Sequence, residues 1–292
     1  MAIDVFIQLV SGFLDRLVQD VQRSVGATVE TYLLSTHDLS AGSAQPLSAN
    51  PTLTGMYRLC LAIADLLLVI VFTWALLRSL WERSNRPHYT LKVFLPRAMV
   101  AVVLSHFALL FGQMALDLNN ALVHAAWTAP LPGTIDLPWS LALNQRSGAP
   151  LFQLGVRIAV AVMLLIIALT YVIRFALLAV LLVVSPLASL CLILPETDGF
   201  ARAWIRLFSV TVFMQFGQVL VLRFASAFLT GQPAGPAQAL YGLAVLYLVI
   251  KVPGLMNASA HLEHKVQHTV ESTVKHALKA PTGTARTRAA RS

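Results

Sequence analysis

Long apolar segments alternate with short polar ones along most of the chain, and this pattern predicts its helices. The apolar segments are 59–81, 95–116, 154–194, 207–229 and 240–255. A helix rises 1.5 Å per residue, so about 20 apolar residues cross a hydrocarbon core of about 30 Å. The pattern therefore predicts an all-α, polytopic membrane protein with about five transmembrane helices over residues 58–256, and six are possible.

The number of crossings depends on the segment 154–194. It is apolar for 41 residues and is interrupted only by Arg157, Arg174 and Pro186. A straight helix of this length would measure about 60 Å, roughly twice the hydrocarbon core. The segment forms either two short spans or one very long helix. In the second case its surplus length projects from the membrane or bends at Pro186.

Amphipathic and polar segments surround these spans. Residues 1–34 repeat apolar side chains at helical spacing but are too polar to span, so we expect them to lie on the membrane or against a partner helix. The residues 35–57 are rich in Ser, Pro and Gly and form a linker, and 117–153 form a long loop between spans. After the last span, 257–279 are expected to form an amphipathic helix and 280–292 a disordered basic tail.

Basic residues indicate which side of the membrane faces the cytoplasm. The most basic short loop is 78–97, which we place inside, so that the N-terminal helix and the loop 117–153 lie outside. If the segment 154–194 crosses once, then Arg202, Arg206 and the basic tail are also inside, and every basic segment obeys the rule. Two crossings would invert the tail. Five crossings with the N-terminus outside and the C-terminus in the cytoplasm are therefore preferred.

Composition and charge narrow the class of protein further. Hydrophobic residues make up 57% of the 292 residues and charged residues only 12%, against about 25% charged residues in soluble domains. A water-soluble fold is therefore excluded. The arginines of the tail could bind nucleic acid, but contact with anionic membrane lipid or simple solvation is preferred. Cys60 and Cys191 lie in apolar segments and are expected to be packed, reduced thiols.

Signatures of enzymes are missing from the sequence. It contains no P-loop, no Gly-x-Gly-x-x-Gly, no Gly-x-Ser-x-Gly and no His-Glu-x-x-His motif. His261, His264 and His268 share one helical face and could bind zinc. A basic amphipathic helix accounts for them without a metal, and this interpretation is preferred. The sequence therefore predicts no enzyme, no catalytic residue, no metal site and no cofactor.

Charges inside the spans are the first candidates for function, because a charge exposed to lipid is costly. Asp65, Arg157 and Arg223 fall at similar depths when the chain crosses five times. Asp65 could pair with Arg157 or with Arg223 and hold two helices together, or the arginines could extend to the headgroups. The functional alternative is a ring of polar side chains that lines a conduit.

The fourth span carries a polar stripe, formed by Thr211, Gln215, Gln218 and Ser226. Such side chains hydrogen-bond across helix interfaces, and this packing role competes with pore lining in an oligomer. The candidate conduit residues are Asp65, Arg157, Gln215, Gln218 and Arg223.

One stretch of sequence resembles a known family. An apolar run after Arg174-Phe175 reaches Ser185-Pro186-Leu187-Ala188, and a turn, an aromatic and basic segment and a span containing Gln215 follow. The residues of this turn and its surroundings are Pro186, Pro195, Thr197, Arg202 and Trp204. Their order resembles the TrbL family of conjugation and type IV secretion proteins, which includes the sixth VirB protein. The late segment Lys251-Val252-Pro253-Gly254-Leu255 also fits.

This resemblance implies a subunit of the bacterial inner membrane with about five spans, an outside N-terminus, a cytoplasmic C-terminus and an outward central loop that faces substrate. It implies assembly with other type IV secretion subunits and transient contact with translocated DNA or protein. Five spans with scattered polar residues make a poor solitary pore, so we expect a channel or scaffold subunit that acts as a homo-oligomer. The alternative is a secondary transporter or another channel for a small solute. A transporter predicts inverted repeats, and no convincing internal repeat is present.

Overall fold

A computed structural model of the chain describes scattered positions between 12 and 36 and the residues 46–81, 87–130, 150–193, 197–230 and 235–256. Every regular element within these ranges is helical, which confirms the prediction of an all-α fold. The expected C-terminal helix 257–279 and tail 280–292 lie outside the described residues. All contacts given below are made within the compact unit Met1–Val252.

In the described part of the chain, five long helices follow a short 3₁₀ turn at Leu47–Ala49. They are α1 (Pro51–Trp81), α2 (Pro87–Thr128), α3 (Pro150–Leu190), α4 (Asp198–Thr230) and α5 (Pro236–Met256). Each contains a stretch that is long and apolar enough to cross a membrane. The prediction of five transmembrane helices is therefore confirmed.

The start of α1 is defined by Asn50, which lies ahead of the apolar segment 59–81. Its side-chain Oδ1 accepts the backbone N–H of Thr52 at 2.9 Å and that of Leu53 at 3.3 Å. These N–H groups have no partner inside the helix, so an Asn at this position stabilises the first turn. Pro51 occupies the first helical position, where its missing N–H costs nothing.

The long apolar segment forms one helix, which decides between the two possibilities that the sequence leaves open. α3 runs without a break from Pro150 to Leu190 and contains Pro186 in its last turn. Pro186 has no N–H to donate to the carbonyl of Leu182, four residues earlier. The Ser185 hydroxyl donates to that carbonyl instead, at 2.6 Å, so the helix continues through the proline.

The second helix is longer than the hydrophobic pattern indicates. α2 continues to Thr128, whereas the apolar segment stops at residue 116 and the loop was expected from 117. Polar side chains support the extra turns: Gln113 Nε2 donates to Asp117 Oδ1 at 2.8 Å, and Thr128 Oγ1 donates to the carbonyl of His124 at 2.8 Å. The first part of the predicted loop is therefore helical, and its residues 131–149 lie outside the described residues.

The buried core is distributed along α2, α3 and α4 in three clusters. Near the end where α3 stops, Ala64 of α1 packs with Ala98, Ala101 and Leu190. A middle cluster joins the 3₁₀ turn and the start of α1 to α2, α3 and α4. At the opposite end, α3 and α4 pack against α5 and the N-terminal segment. Thus α1 packs on one half of the long helices, and α5 packs on the other half.

The N-terminal segment packs into the bundle to which it belongs. Its described positions between 12 and 33 are helical, and Val29 and Leu33 are almost fully buried beside Val123 and Leu222. Val29 and Leu33, with Val25 and Tyr32, therefore pack in one cluster with α2, α3 and α4 of the same chain. The sequence leaves open whether this segment lies on the membrane or against a partner helix. Near residues 29–33 it lies against other helices.

The register between α1 and α2 is held by Tyr57. Its hydroxyl donates to the carbonyl of Ser105 at 2.7 Å and lies 3.2 Å from that of His106. We expect Tyr57→Phe to lower the free energy of unfolding by about 1 kcal/mol, because a buried hydrogen bond is lost while the ring is kept. Thermal unfolding in detergent measures the change. Tyr241→Phe, at a half-exposed ring on α5, is the control, and equal losses in both variants would contradict this role.

Candidate functional site

A buried polar cluster centred on Gln215 joins three parts of the chain. The Gln215 side chain donates from Nε2 to the carbonyl of Leu33 at 2.6 Å. Its Oε1 accepts the Thr36 hydroxyl at 2.7 Å and Asn119 Nδ2 at 2.8 Å. Asn120 Oδ1 accepts the backbone N–H of Thr36 at 3.0 Å. The cluster ties the end of the N-terminal segment to α2 and α4.

The next polar residues of the α4 stripe also point into the bundle. Gln218 is buried and donates from Nε2 to the carbonyl of Val249 on α5 at 3.2 Å. Arg223 is buried and donates from Nη2 to the carbonyl of Ala129, just after the end of α2, at 2.9 Å. Ser226 Oγ lies 3.4 Å from Nη1 of the same arginine. These contacts are those of polar side chains that hold neighbouring helices together.

Arg174 lies in the middle of α3 and is buried against α4. Its guanidinium donates from Nε to the carbonyl of Thr211 at 2.8 Å and from Nη2 to that of Val212 at 3.1 Å. Within the described part of the chain no carboxylate pairs with it. Arg174 is not among the candidate residues predicted from the sequence, where it interrupts the apolar segment 154–194 and contributes to the family resemblance. Its position inside a 41-residue apolar helix was a signal that could have identified it as a candidate.

Asp65 lies opposite His106. Asp65 Oδ1 is 3.7 Å from His106 Nε2, and the two side chains are 50% and 45% exposed. The other ring nitrogen of His106, Nδ1, is 3.1 Å from the carbonyl of Val102, to which it can donate. Nε2 faces the carboxylate, and the two groups form an ion pair when the imidazole is protonated. Both residues lie on the outer surface of the α1–α2 pair.

The candidate residues are therefore divided between the interior and the surface. Gln215, Gln218 and Arg223 are buried, whereas Asp65 is half-exposed. Arg157 is half-buried near the start of α3. The conduit role of these residues stays a prediction, and the contacts of the three buried ones match the packing alternative. The partners that sequence reasoning missed are Thr36, His106 and Asn119.

The family-like turn connects α3 to α4. Thr197 Oγ1 donates to the carbonyl of Cys191 at 2.9 Å, so it closes the turn against the end of α3. One turn into α4, Arg202 pairs with Asp198. Trp204 stacks on Phe208, with ring centroids 5.5 Å apart. Pro195 lies outside the described residues.

The thiols and the histidines were the remaining chemical candidates. Cys60 and Cys191 are free thiols, as the sequence predicts, and burial raises the pKa of the Cys191 thiol, which lowers its reactivity. Among the described residues, no three His, Cys, Asp or Glu side chains are placed to hold a metal ion. His261, His264 and His268 lie outside the described residues. The described polar groups can hold helices together, and Asp65–His106 and Asp198–Arg202 are acid–base pairs at the surface.

Comparison with known proteins agrees with the resemblance found in the sequence. A family model described as "TrbL/VirB6 plasmid conjugal transfer like protein" matches residues 2–292. No curated protein and no solved structure matches the chain significantly. The matched family consists of membrane components of conjugal transfer and type IV secretion that work with other components of these systems. Because the family model spans nearly the whole chain and the five helices are those of a multi-pass membrane protein, the chain belongs to the TrbL/VirB6-like family of plasmid conjugal transfer proteins.

Proposed function

We propose that this chain is a channel or scaffold subunit of a type IV secretion system in the bacterial inner membrane and that it acts as a homo-oligomer. It serves the conjugative transfer of DNA or the transfer of protein. It contributes no catalytic chemistry of its own. The family supports the secretion role, and the pair Asp65–His106 supports the oligomer.

The pair Asp65–His106 carries the argument because of where it lies. Asp65 is near the middle of the 24-residue apolar stretch Pro51–Trp74 of α1. Its neighbours Leu66 and Val69 are strongly exposed apolar side chains. A carboxylate at the centre of a membrane helix costs about 2.5–3.5 kcal/mol when it faces lipid. A half-exposed pair at this position is therefore expected to face water or another protein.

The interior of the bundle also favours an oligomer. Side chains fill the space between α3 and α4: Gln215 and Gln218 are almost fully buried and bonded to neighbouring segments. A single copy therefore offers no polar path along its own axis in the described residues. The outward pair on α1 and α2 is the polar surface that several copies could arrange around a common path.

The orientation within this proposal follows the basic residues. Loop 78–97 and the tail are placed in the cytoplasm, and the N-terminal segment and central loop are placed outside. Because α3 is one helix, five crossings put the two termini on opposite sides. A reporter that is active only outside the membrane should be inactive when fused after Ser292. Activity of this fusion would contradict the orientation.

The test of the function uses the charge at position 65 in cells that lack the native copy. We expect Asp65→Lys to lower substrate transfer at least tenfold, because it replaces the carboxylate that faces His106 with an ammonium group and disrupts the surface on which copies meet. The double variant Asp65→His with His106→Asp exchanges the two partners, keeps an imidazole opposite a carboxylate, and should recover transfer. Arg58→Glu reverses an exposed charge nearer the start of α1 and should leave transfer unchanged.

Cross-linking tests the oligomer separately. Val69→Cys places a thiol one turn from Asp65 on the same exposed face, in a background of Cys60→Ser and Cys191→Ser. In membranes we expect a bis-maleimide reagent to yield dimers of this variant, and fewer dimers when Asp65→Lys is added. Monomer alone in intact membranes would refute the oligomer. If the Asp65→Lys variant is present at normal protein levels and transfers substrate as well as the wild type, the pair Asp65–His106 has no role in transfer.

A further inference from the structure

An elongated cavity lies between α2, α3 and α4. It has a volume of about 130 Å³. Its wall follows the helix axes, from Gly112, Leu182 and Phe208 at one end to Leu104, Leu192 and Ala201 at the other. Nearly all of the lining is apolar. The side chains of Phe111 and Ile205, which also line it, are about half-exposed, so the cavity opens sideways to the surroundings of the bundle.

Trp204 contributes an unused hydrogen-bond donor to this cavity. Its indole lines the wall and stacks on Phe208, and its Nε1 is buried without an acceptor among the described residues. Buried indole N–H groups usually have a partner, because an unpaired donor costs about 1–3 kcal/mol. Ser185 and Ser189, the nearby hydroxyls, already donate to carbonyls of α3. Trp204 is therefore the donor that remains for a bound molecule.

Positive charge surrounds the end of the cavity where α4 begins. Arg202 and Arg206 are neighbours of the lining residues Ala201 and Ile205. Arg97 of α2 is close enough to act electrostatically on Asp198. Among the described residues of this group Asp198 is the one acid, so the three arginines leave a net charge of +2 (+3 − 1). An anionic headgroup would be attracted to this end.

We propose that this cavity binds the first few methylenes of one acyl chain of an anionic phospholipid. The ester carbonyl of this lipid accepts the Trp204 indole N–H, and its phosphate lies among Arg97, Arg202 and Arg206. The apolar wall fits this part of a hydrocarbon chain, the rest of the chain extends through the lateral opening into the bilayer, and the basic end complements the phosphate. The site goes beyond the proposed secretion function and does not depend on it. It also assigns a role to Trp204, which belongs to the family-like motif.

The experiment measures lipid binding by the full-length protein. The detergent-solubilised, delipidated chain is titrated with dioleoyl phosphatidylglycerol, with dioleoyl phosphatidylcholine and with glycerol 3-phosphate, and bound lipid is counted by native mass spectrometry. We expect one tight phosphatidylglycerol per chain, weaker phosphatidylcholine and no glycerol 3-phosphate. Trp204→Phe keeps the stacking on Phe208 but removes the N–H, and should weaken phosphatidylglycerol binding about five- to tenfold.

Further variants separate the parts of the site. Ala108→Leu fills the middle of the cavity at a half-buried position and should abolish the tight site. Arg202→Gln and Arg206→Gln together should remove the preference for phosphatidylglycerol over phosphatidylcholine. Trp74→Phe, at an exposed tryptophan on α1, is the matched control and should bind like the wild type.

Each contrary result overturns the proposal. Equal binding of the two phospholipids by the wild-type chain would show that the arginines do not select an anionic headgroup. Unchanged affinity in Trp204→Phe, or an unchanged tight site in Ala108→Leu, would place the lipid elsewhere. Binding of glycerol 3-phosphate alone at the affinity of the lipid would indicate a phosphate site without an acyl chain. Melting temperatures without lipid confirm that each variant is folded.

Discussion

Gln215→Leu is expected to destabilise the protein by about 2–4 kcal/mol and to release the N-terminal segment. The substitution keeps the approximate side-chain volume but removes the partner of four groups: the carbonyls of Tyr32 and Leu33, the Thr36 hydroxyl and Asn119 Nδ2. Each buried group that loses its partner costs about 1–3 kcal/mol, although hydrogen bonds between membrane helices average less. Asn119 is affected most, since its Oδ1 is already unpaired among the described residues.

Two measurements check this expectation. Thermal unfolding in detergent gives the loss of stability, and limited proteolysis reports cleavage ahead of Leu47 as the N-terminal segment detaches. Gln113→Leu is the matched control, because Gln113 is half-buried and, among the described residues, its side chain hydrogen-bonds only to Ser48 and Asp117. We expect this control to lose less than about 1 kcal/mol. If both variants lose the same stability and the N-terminal segment stays protected, the cluster does not hold it.

Gly112→Val should destabilise the bundle by about 1–3 kcal/mol through overpacking. A Cβ built at Gly112 collides with the tip of Leu182 on α3 and lies 3.8 Å from Phe208 on α4. The clashing atom is the far end of a flexible side chain that is almost fully buried, so the tip of Leu182 must turn into the adjoining cavity and lose its present packing contacts. Glycine at this position lets α2 approach α3 closely, as small residues commonly do between membrane helices.

The control for this prediction is Gly155→Val on α3. Nothing lies within 4 Å of a Cβ built at Gly155, so valine there should be neutral or slightly stabilising because glycine is a poor helix former. Both melting temperatures are measured in the same detergent. A Gly112 variant as stable as the Gly155 variant would show that Leu182 moves without cost and that the close approach is not needed.

The sequence by itself determined the class and the number of the helices. Hydropathy and length are local properties, and a run of about 20 apolar residues has few alternatives to a membrane helix. The five predicted spans therefore correspond to α1 to α5, and the family was identified from the turn between α3 and α4. Hydropathy alone did not give the helix ends, because Asn50 and the polar residues near Asp117 extend α1 and α2 beyond the apolar pattern.

Only the tertiary structure decided which polar residues face each other. The hydrogen bond between Tyr57 and Ser105 sets the register of α1 on α2, and this register places Asp65 next to His106. The depths of charged residues in the separate spans had suggested Arg157 or Arg223 as the partner of Asp65. The polar stripe of α4 could face a pore or a neighbouring helix, and its contacts with Leu33, Asn119 and Val249 turn it inward. Periodicity defines a face of a helix, but the rotation and the height of that helix in the bundle come from long-range packing. That packing is absent from any local pattern of the sequence.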